Sequence, residues 1–191
     1  MSGTALDPEL RIDWIPAADL PDGLPGRLGL TFLPGKHGAS LRYPGRVYRR
    51  DLARDVAALR AAGVECLVLL VTDAELARWG HPAIVRDARA GGLTVERWPI
   101  PDGAPPASLE ELDAILASIR ASRANGDVAV ACMGGVGRTG TIAAAALVAA
   151  GWNVTDAVTE VRRVRHPEAV ETGAQLTFLA EYASTIAARA G

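Results

Sequence analysis

The chain has 191 residues, 49% of them apolar, and a formal net charge of −2 with histidine neutral. That is enough apolar material for one globular domain with a sizeable core. The balanced charge leaves no electrostatic footprint for nucleic acid, and no run approaches the ~18 apolar residues of a membrane span. Two cysteines are too few for a disulfide scaffold and suit a reducing compartment. Residues 1–10 lack a basic stretch followed by an apolar one, so no standard secretory signal is expected and the cytoplasm is the expected location. Lys36 is the only lysine against nineteen arginines, which suggests a GC-rich, bacterial genome.

In chain order, residues 1–24 carry Pro8, Pro16 and Pro21 with little periodicity, and read as a lead-in or edge strand. The expected division is a lead-in over 1–27 followed by one domain over 28–191. Residues 23–48 alternate glycine, proline and apolar pairs, consistent with one or two strands. Asp51 is placed to cap a helix from Leu52 to Ala62, stopped by Gly63. Val64 to Val71 is a continuous apolar run suited to a buried parallel strand. Thr72 with Glu75 predicts a capping box for a short helix to Trp79, and Ser108 with Glu111 a second one. Between them lie a helix over 82–90, ended by Gly91-Gly92, and a strand over 93–98. The helix from Ser108 runs to Asn125-Gly126, a strand over 128–131 follows, and helices are expected near 139–150, 156–165 and 173–189. Strands alternating with helices predict an α/β fold, a mainly parallel twisted sheet with helices on both faces. Ligands bind beyond the carboxyl ends of such strands.

Cys132 lies at one such end, in the run Ala131-Cys132-Met133-Gly134-Gly135-Val136-Gly137-Arg138-Thr139-Gly140. The backbone N–H groups of a loop like this, with the helix N-terminus behind it, form an anion site. Glycine lets the main chain approach without a Cβ in the way. The same field favours a thiolate on Cys132, and Arg138 can bind two oxygens of one phosphate in a fork. A nucleophile and a phosphate cradle are thus expected in one turn of chain. Met133, Gly134, Gly135, Val136, Gly137 and Arg138 are the expected phosphate-binding positions. Gly134 to Thr139 also resembles a nucleotide-binding P-loop of the ParA kind. Arginine stands where that loop needs lysine, and no strand ending in a metal-binding aspartate follows.

The Cys-x5-Arg pattern followed by Thr-Gly resembles the signature loop of cysteine-dependent protein tyrosine and dual-specificity phosphatases. Leu28 to Gly35, Trp98-Pro99-Ile100-Pro101-Asp102-Gly103, the loop, and Glu171-Thr172 with Gln175 resemble the kinase-associated phosphatase branch in order and spacing, over residues 28–182. The resemblance implies a phosphatase fold and a phosphocysteine mechanism without metal or cofactor. Cys132 would be the nucleophile and Asp102, thirty residues earlier, the proton donor, although Pro-Asp-Gly taken alone reads as a turn. Thr139 would hydrogen-bond the departing thiolate. Glu171 and Gln175 match positions used near the hydrolytic water, while Thr172 with Gln175 also forms a capping box.

The family's usual histidine before the nucleophile is replaced by Ala131, so a weakly catalytic phosphopeptide-binding protein is the rival expectation. The loop carries no lysine, which favours a singly phosphorylated substrate: phosphotyrosine or phosphoserine/threonine on a protein or peptide, met by a monomer, with no nucleic acid or membrane partner. Arg42, Arg46, Arg49 and Arg50 either line the approach to an acidic peptide or are solvated. His37, His81 and His166 are isolated in the sequence and suggest no metal cluster. Cys66 sits too far back on its strand to bridge to Cys132.

Overall fold

The computed structural model describes residues 9–40 and 42–190. Part of the expected lead-in, residues 1–8, lies outside the described residues. A five-stranded sheet is built from β1 (Asp13–Trp14), β2 (Leu28–Phe32), β7 (Asp127–Cys132), β5 (Val64–Leu69) and β6 (Thr94–Arg97), in that spatial order. Only β1 runs antiparallel; the other neighbours pair in parallel. Two short strands, β3 (His37–Ala39) and β4 (Val47–Arg49), form a separate antiparallel hairpin. Residues 23–48 therefore contain three strands, where the glycine and proline spacing predicts one or two. The extra pairing is set by hydrogen bonding across the hairpin, for which residue spacing alone carries no signal.

Seven helices cover the sheet among the described residues. α1 (Leu52–Ala61), α2 (Asp73–Trp79) and α3 (Ile84–Ala90) pack one face, and α4 (Leu109–Arg123), α5 (Gly137–Ala149), α6 (Val154–Val164) and α7 (Gly173–Ala190) the other. The mainly parallel α/β architecture is as expected. The caps explain several of the boundaries. Asp51 accepts a hydrogen bond from Arg54 N and starts α1, and Thr72 with Glu75 makes both arms of the capping box at α2. At α4 only one arm forms: Ser108 accepts from Glu111 N, while Glu111 turns its carboxylate to Ala107 N. α3 begins at Ile84, two residues later than predicted, and its N-cap makes no side-chain bond.

The period of two along the strands divides the core. On β7, Val128, Val130 and Cys132 face the α4–α7 layer, while Ala129 and Ala131 face α1–α3. β5 divides likewise, with Cys66 and Val68 against Val64, Leu67 and Leu69. The N-terminal segment joins the packing, since Leu10, Ile15 and Leu20 are buried. No helix among the described residues is long and apolar enough to cross a membrane.

Leu67 is fully buried at the centre of this sheet. Leu67→Ala is expected to lower unfolding stability by about 2–5 kcal/mol through lost burial and a residual cavity, read as a lower urea midpoint at unchanged slope.

Candidate active site

β7 delivers Cys132 at its last residue, beside Phe32 at the end of β2. The chain then turns through residues 133–136 into α5, so Arg138 lies in the first helical turn and not at the end of the loop. Gly135 holds a left-handed backbone, φ 65°, and a Cβ there would stand 2.2 Å from the Thr31 carbonyl oxygen. Only glycine fits that approach, and it lets Gly135 N–H donate to the Cys132 sulfur at 3.2 Å. The amides that open α5 have no intrahelical partner and carry the positive end of the helix dipole.

Burial opposes charge on the Cys132 thiol, yet Arg138, the Thr139 hydroxyl and the amides of Thr139 and Val136 outweigh it and hold the pKa below its ordinary value. Thr139 Oγ is fully buried and makes no hydrogen bond of normal geometry, although it lies close enough to the sulfur to favour the thiolate. Ala131, where the family carries histidine, faces the opposite core.

Arg138 is 2% exposed. Its Nη1 donates to Glu75 Oε2 and to the Ile100 carbonyl, each at 2.8 Å. Its Nη2 donates to Glu75 Oε1 at 2.6 Å and to Asp102 Oδ1 at 3.0 Å. These bonds occupy the Nη hydrogens and leave Nε–H for a ligand. The Glu75 carboxyl is opposed by burial, but bonds from Arg138 and Thr72 hold its pKa below the usual range. In the sequence Glu75 reads only as a helix cap. The same carboxylate also forks onto a guanidinium 63 residues away, and nothing in the capping signature announces that second bond.

Asp102 does come to the site, with a side chain 71% exposed. Its loop is tied to the start of α7: Thr172 Oγ donates to the Gly103 carbonyl at 2.9 Å, and Gln175 Nε2 to that of Ala104 at 3.3 Å. Gln175 is fully buried, and its carbonyl oxygen accepts from the amides of Glu171 and Thr172. Its polar atoms are thus committed to fastening loops, as its capping-box reading implies. Glu171 forms an ion pair with Arg42. A Cβ on Gly137 would lie 2.1 Å from Glu171 Oε2, so that carboxylate rests directly against the loop. Val170 reaches this arrangement through a left-handed backbone, φ 61°, which is costly for a β-branched residue.

Arg165 went unnoticed in the sequence. It donates from Nε to the Gly135 carbonyl at 2.9 Å and from Nη2 to that of Gly134 at 3.3 Å, while Nη1 pairs with Asp13 at 2.6 Å. It draws loop carbonyls to the outside, which turns the adjoining N–H groups inward. Of the four arginines proposed for the approach, Arg42, Arg46 and Arg50 line the cavity but differ in pairing. Arg50 is buried against Asp55 at 2.7 Å and serves the fold, and Arg49 lies off the cavity lining.

His37 and His81 are not isolated in space, their rings standing 5.5 Å apart. His166 contacts the Tyr43 hydroxyl at the cavity edge. Cys66 sits in register with Val128, four residues short of Cys132, and both cysteines are free. The cavity over Cys132 is about 690 Å³ and includes Phe32, Tyr43, Tyr48 and Trp79 in its walls.

A family model of polymorphic-toxin-system DSP-PTPase phosphatases (Tc-R-P) matches residues 44–152, more than half of the chain. The chain belongs to this family. It is a cysteine-based protein tyrosine/dual-specificity phosphatase. The phosphatase is also 27% identical to cyclin-dependent kinase inhibitor 3 of Rattus norvegicus over 187 residues, 94% of this chain and 81% of that one. It is 37% identical to protein tyrosine phosphatase type IVA 3 of Homo sapiens over 93 residues, 48% of this chain and 53% of that one. Among solved structures, Tk-PTP in its active form matches with TM-score 0.66 and 32% identity over 83% of this chain and 92% of its own. A kinase associated phosphatase with its catalytic-site cysteine replaced by serine shares the fold at TM-score 0.82 and 23% identity, covering 95% of this chain and 98% of its own.

Two measurements test the geometry. Because the folded pKa of Glu75 is depressed, its stabilisation is present above the unfolded value of ~4.3 and disappears as pH falls below it. Glu75→Gln should cost about 3 kcal/mol at pH 7, and its urea midpoint should converge on that of the unmodified protein below pH ~4.3. Alkylation of Cys132 by iodoacetamide, followed by peptide mass spectrometry, should titrate below the ~8.5 of an ordinary thiol and move up toward it in Thr139→Ala.

Proposed function

We propose that the phosphatase hydrolyses phosphate monoesters on phosphorylated proteins or peptides through a phosphocysteine on Cys132. The observation that carries this is a sulfur held toward its thiolate form at the mouth of the amide loop, with Arg138 supplying charge from the helix behind it. The thiolate attacks phosphorus in line, and the bond to the leaving oxygen breaks as Asp102, protonated, donates to that oxygen. The loop amides and Arg138 hold the equatorial oxygens as charge spreads in the loose transition state. Water then attacks the phosphocysteine, Asp102 takes its proton, and the sulfur departs as a thiolate toward the unpaired Thr139 hydroxyl.

In the free protein Asp102 occupies Nη2 of Arg138. An arriving phosphate oxygen competes for that hydrogen and releases the carboxyl to face the leaving group. Glu171, resting against Gly137, is the better placed of the two α7-proximal residues to orient water, since the polar atoms of Gln175 are engaged elsewhere. The aromatic walls of the cavity favour a phosphotyrosine side chain as the first substrate. In this reading residues 28–191 form the catalytic domain and the preceding segment braces it through Asp13. The protein works as a monomer in the cytoplasm, where both thiols stay reduced.

Turnover of a small aryl phosphate in EDTA is the direct test. Cys132→Ser should abolish it while retaining phosphopeptide binding; an unchanged rate would end the assignment of the nucleophile. Asp102→Ala should lower turnover about 10²–10⁴-fold, with the loss largest for poor leaving groups, and an unchanged rate would mean that another group is the acid.

A further inference from the structure

A second cavity, of about 180 Å³, lies toward the end of the sheet away from Cys132. Leu28 forms part of its floor and pairs with Val128, whereas Phe32 pairs with Cys132. Four strand residues, about 13 Å, therefore separate the two levels. The walls are the turn after the 3₁₀ segment Ala17–Asp19, the C-terminal half of α4 and the C-terminal end of α5. Leu116 and Ile119 of α4 are buried beside it. The chain after that turn is fastened to α4 in both directions. Gly26 N–H donates to the Arg123 carbonyl at 2.9 Å, and Arg123 Nε–H donates to the Gly26 carbonyl at 2.8 Å. The cavity is thus built into the resting fold, as small-ligand sites usually are.

Its charged groups do not balance. Two arginines and one carboxylate, Asp22, line it. Arg123 is 4% exposed and forks onto Asp22, from Nη1 at 2.7 Å and from Nη2 at 3.2 Å. With the bond to Gly26, three of its five N–H donors are engaged. Arg120, three residues earlier and so on the same side of α4, is exposed and has no carboxylate within ion-pair distance among the described residues. A cation in the last turn of a helix suits the helix dipole, which accounts for a charge at that position. It does not account for an apolar cavity beneath the charge. The lining therefore carries one more positive group than negative, over a floor of leucine and isoleucine that offers water no hydrogen bond.

We propose that this cavity is a binding site for a small apolar acid, a carboxylate carried on a single aromatic ring or a short alkyl chain. An apolar cavity of about 150 Å³ accepts benzene, so the 180 Å³ here sets the apolar body at one ring. The guanidinium of Arg120 and the remaining donors of Arg123 set the head group as an oxyanion, which arginine grips in a fork. The two cavities share no lining residue, so the acid and a phosphorylated substrate do not compete for the same groups. The site goes beyond the phosphatase reading and does not rest on it.

The test is an amide NMR titration of the full chain with phenylacetate and with its neutral counterpart phenylacetamide, orthovanadate being present to occupy the Cys132 loop. Phenylacetate should shift the amides of Ile119, Ala146 and Ala149, with a dissociation constant of about 1 mM or tighter. Phenylacetamide should bind about tenfold more weakly, through loss of a charge-assisted hydrogen bond. Arg120→Gln should bring the two affinities together, and Ala146→Leu, which fills the cavity, should abolish both. If Ala146→Leu does not fold, Ala149→Leu on the exposed rim replaces it. Aryl phosphate turnover should be unchanged in each variant. The proposal is overturned if those three amides show no saturable shift, or if acid and amide bind equally, which leaves an apolar cavity only. Shifts that survive Ala146→Leu and Ala149→Leu also overturn it, as do shifts confined to the Cys132 loop. Absence of turnover in the unmodified protein would defeat the phosphatase reading, while the titration would still decide this site.

Discussion

A guanidinium cannot be buried without partners, and Arg138 dictates much of what surrounds it. Its neighbours come from three separate segments: Glu75 from α2, Ile100 and Asp102 from the loop after β6, and the first turn of α5 on which it sits. Glu75 is itself locked by Thr72, so the guanidinium plane is held by a carboxylate that cannot easily turn away. An arginine fixed in this way offers its remaining donor to the cavity in one orientation. The strength of the bidentate pair is therefore of less consequence than the direction it imposes.

The sulfur depends on the same arrangement. Burial alone would keep Cys132 protonated, as it does for Cys66, whose pKa is raised chiefly by desolvation. The two cysteines face the same layer of the core from adjacent strands, yet they shift in opposite directions. The difference lies in the groups around each one. Cys132 has Arg138, Thr139 and helix-terminal amides, whereas Cys66 has Glu96 and a serine. Ala131, where the family carries histidine, points into the other core, and the positive field at the sulfur comes from Arg138, Thr139 and the helix-terminal amides.

Beyond the loop, the cations differ in what holds them. Arg165 and Arg50 are spent on backbone carbonyls and carboxylates that hold the walls in place. Arg138 is neutralised by Glu75 but still points at the cavity. Lys36 and Arg46 remain on the aromatic face of Tyr48, where the ring quadrupole offers a cation part of what a carboxylate would.

By itself the sequence determined the local structure and the chemistry of the loop. Period-two and helical patterns, with caps at Asp51 and Thr72, placed most elements within a residue or two, because those signals rest on groups close along the chain. Cys132, Arg138, Thr139 and the glycines were legible for the same reason: they act within one turn of backbone. The tertiary structure decided which distant groups meet them. Glu75, Arg165 and Lys36 look in sequence like a cap, a helix-end charge and a loop lysine. Their partners are fixed only when the parallel strands align their carboxyl ends and bring α2, the hairpin and the end of α6 to one rim. Ion pairs and burial depend on which faces come together, and residue order does not encode that directly.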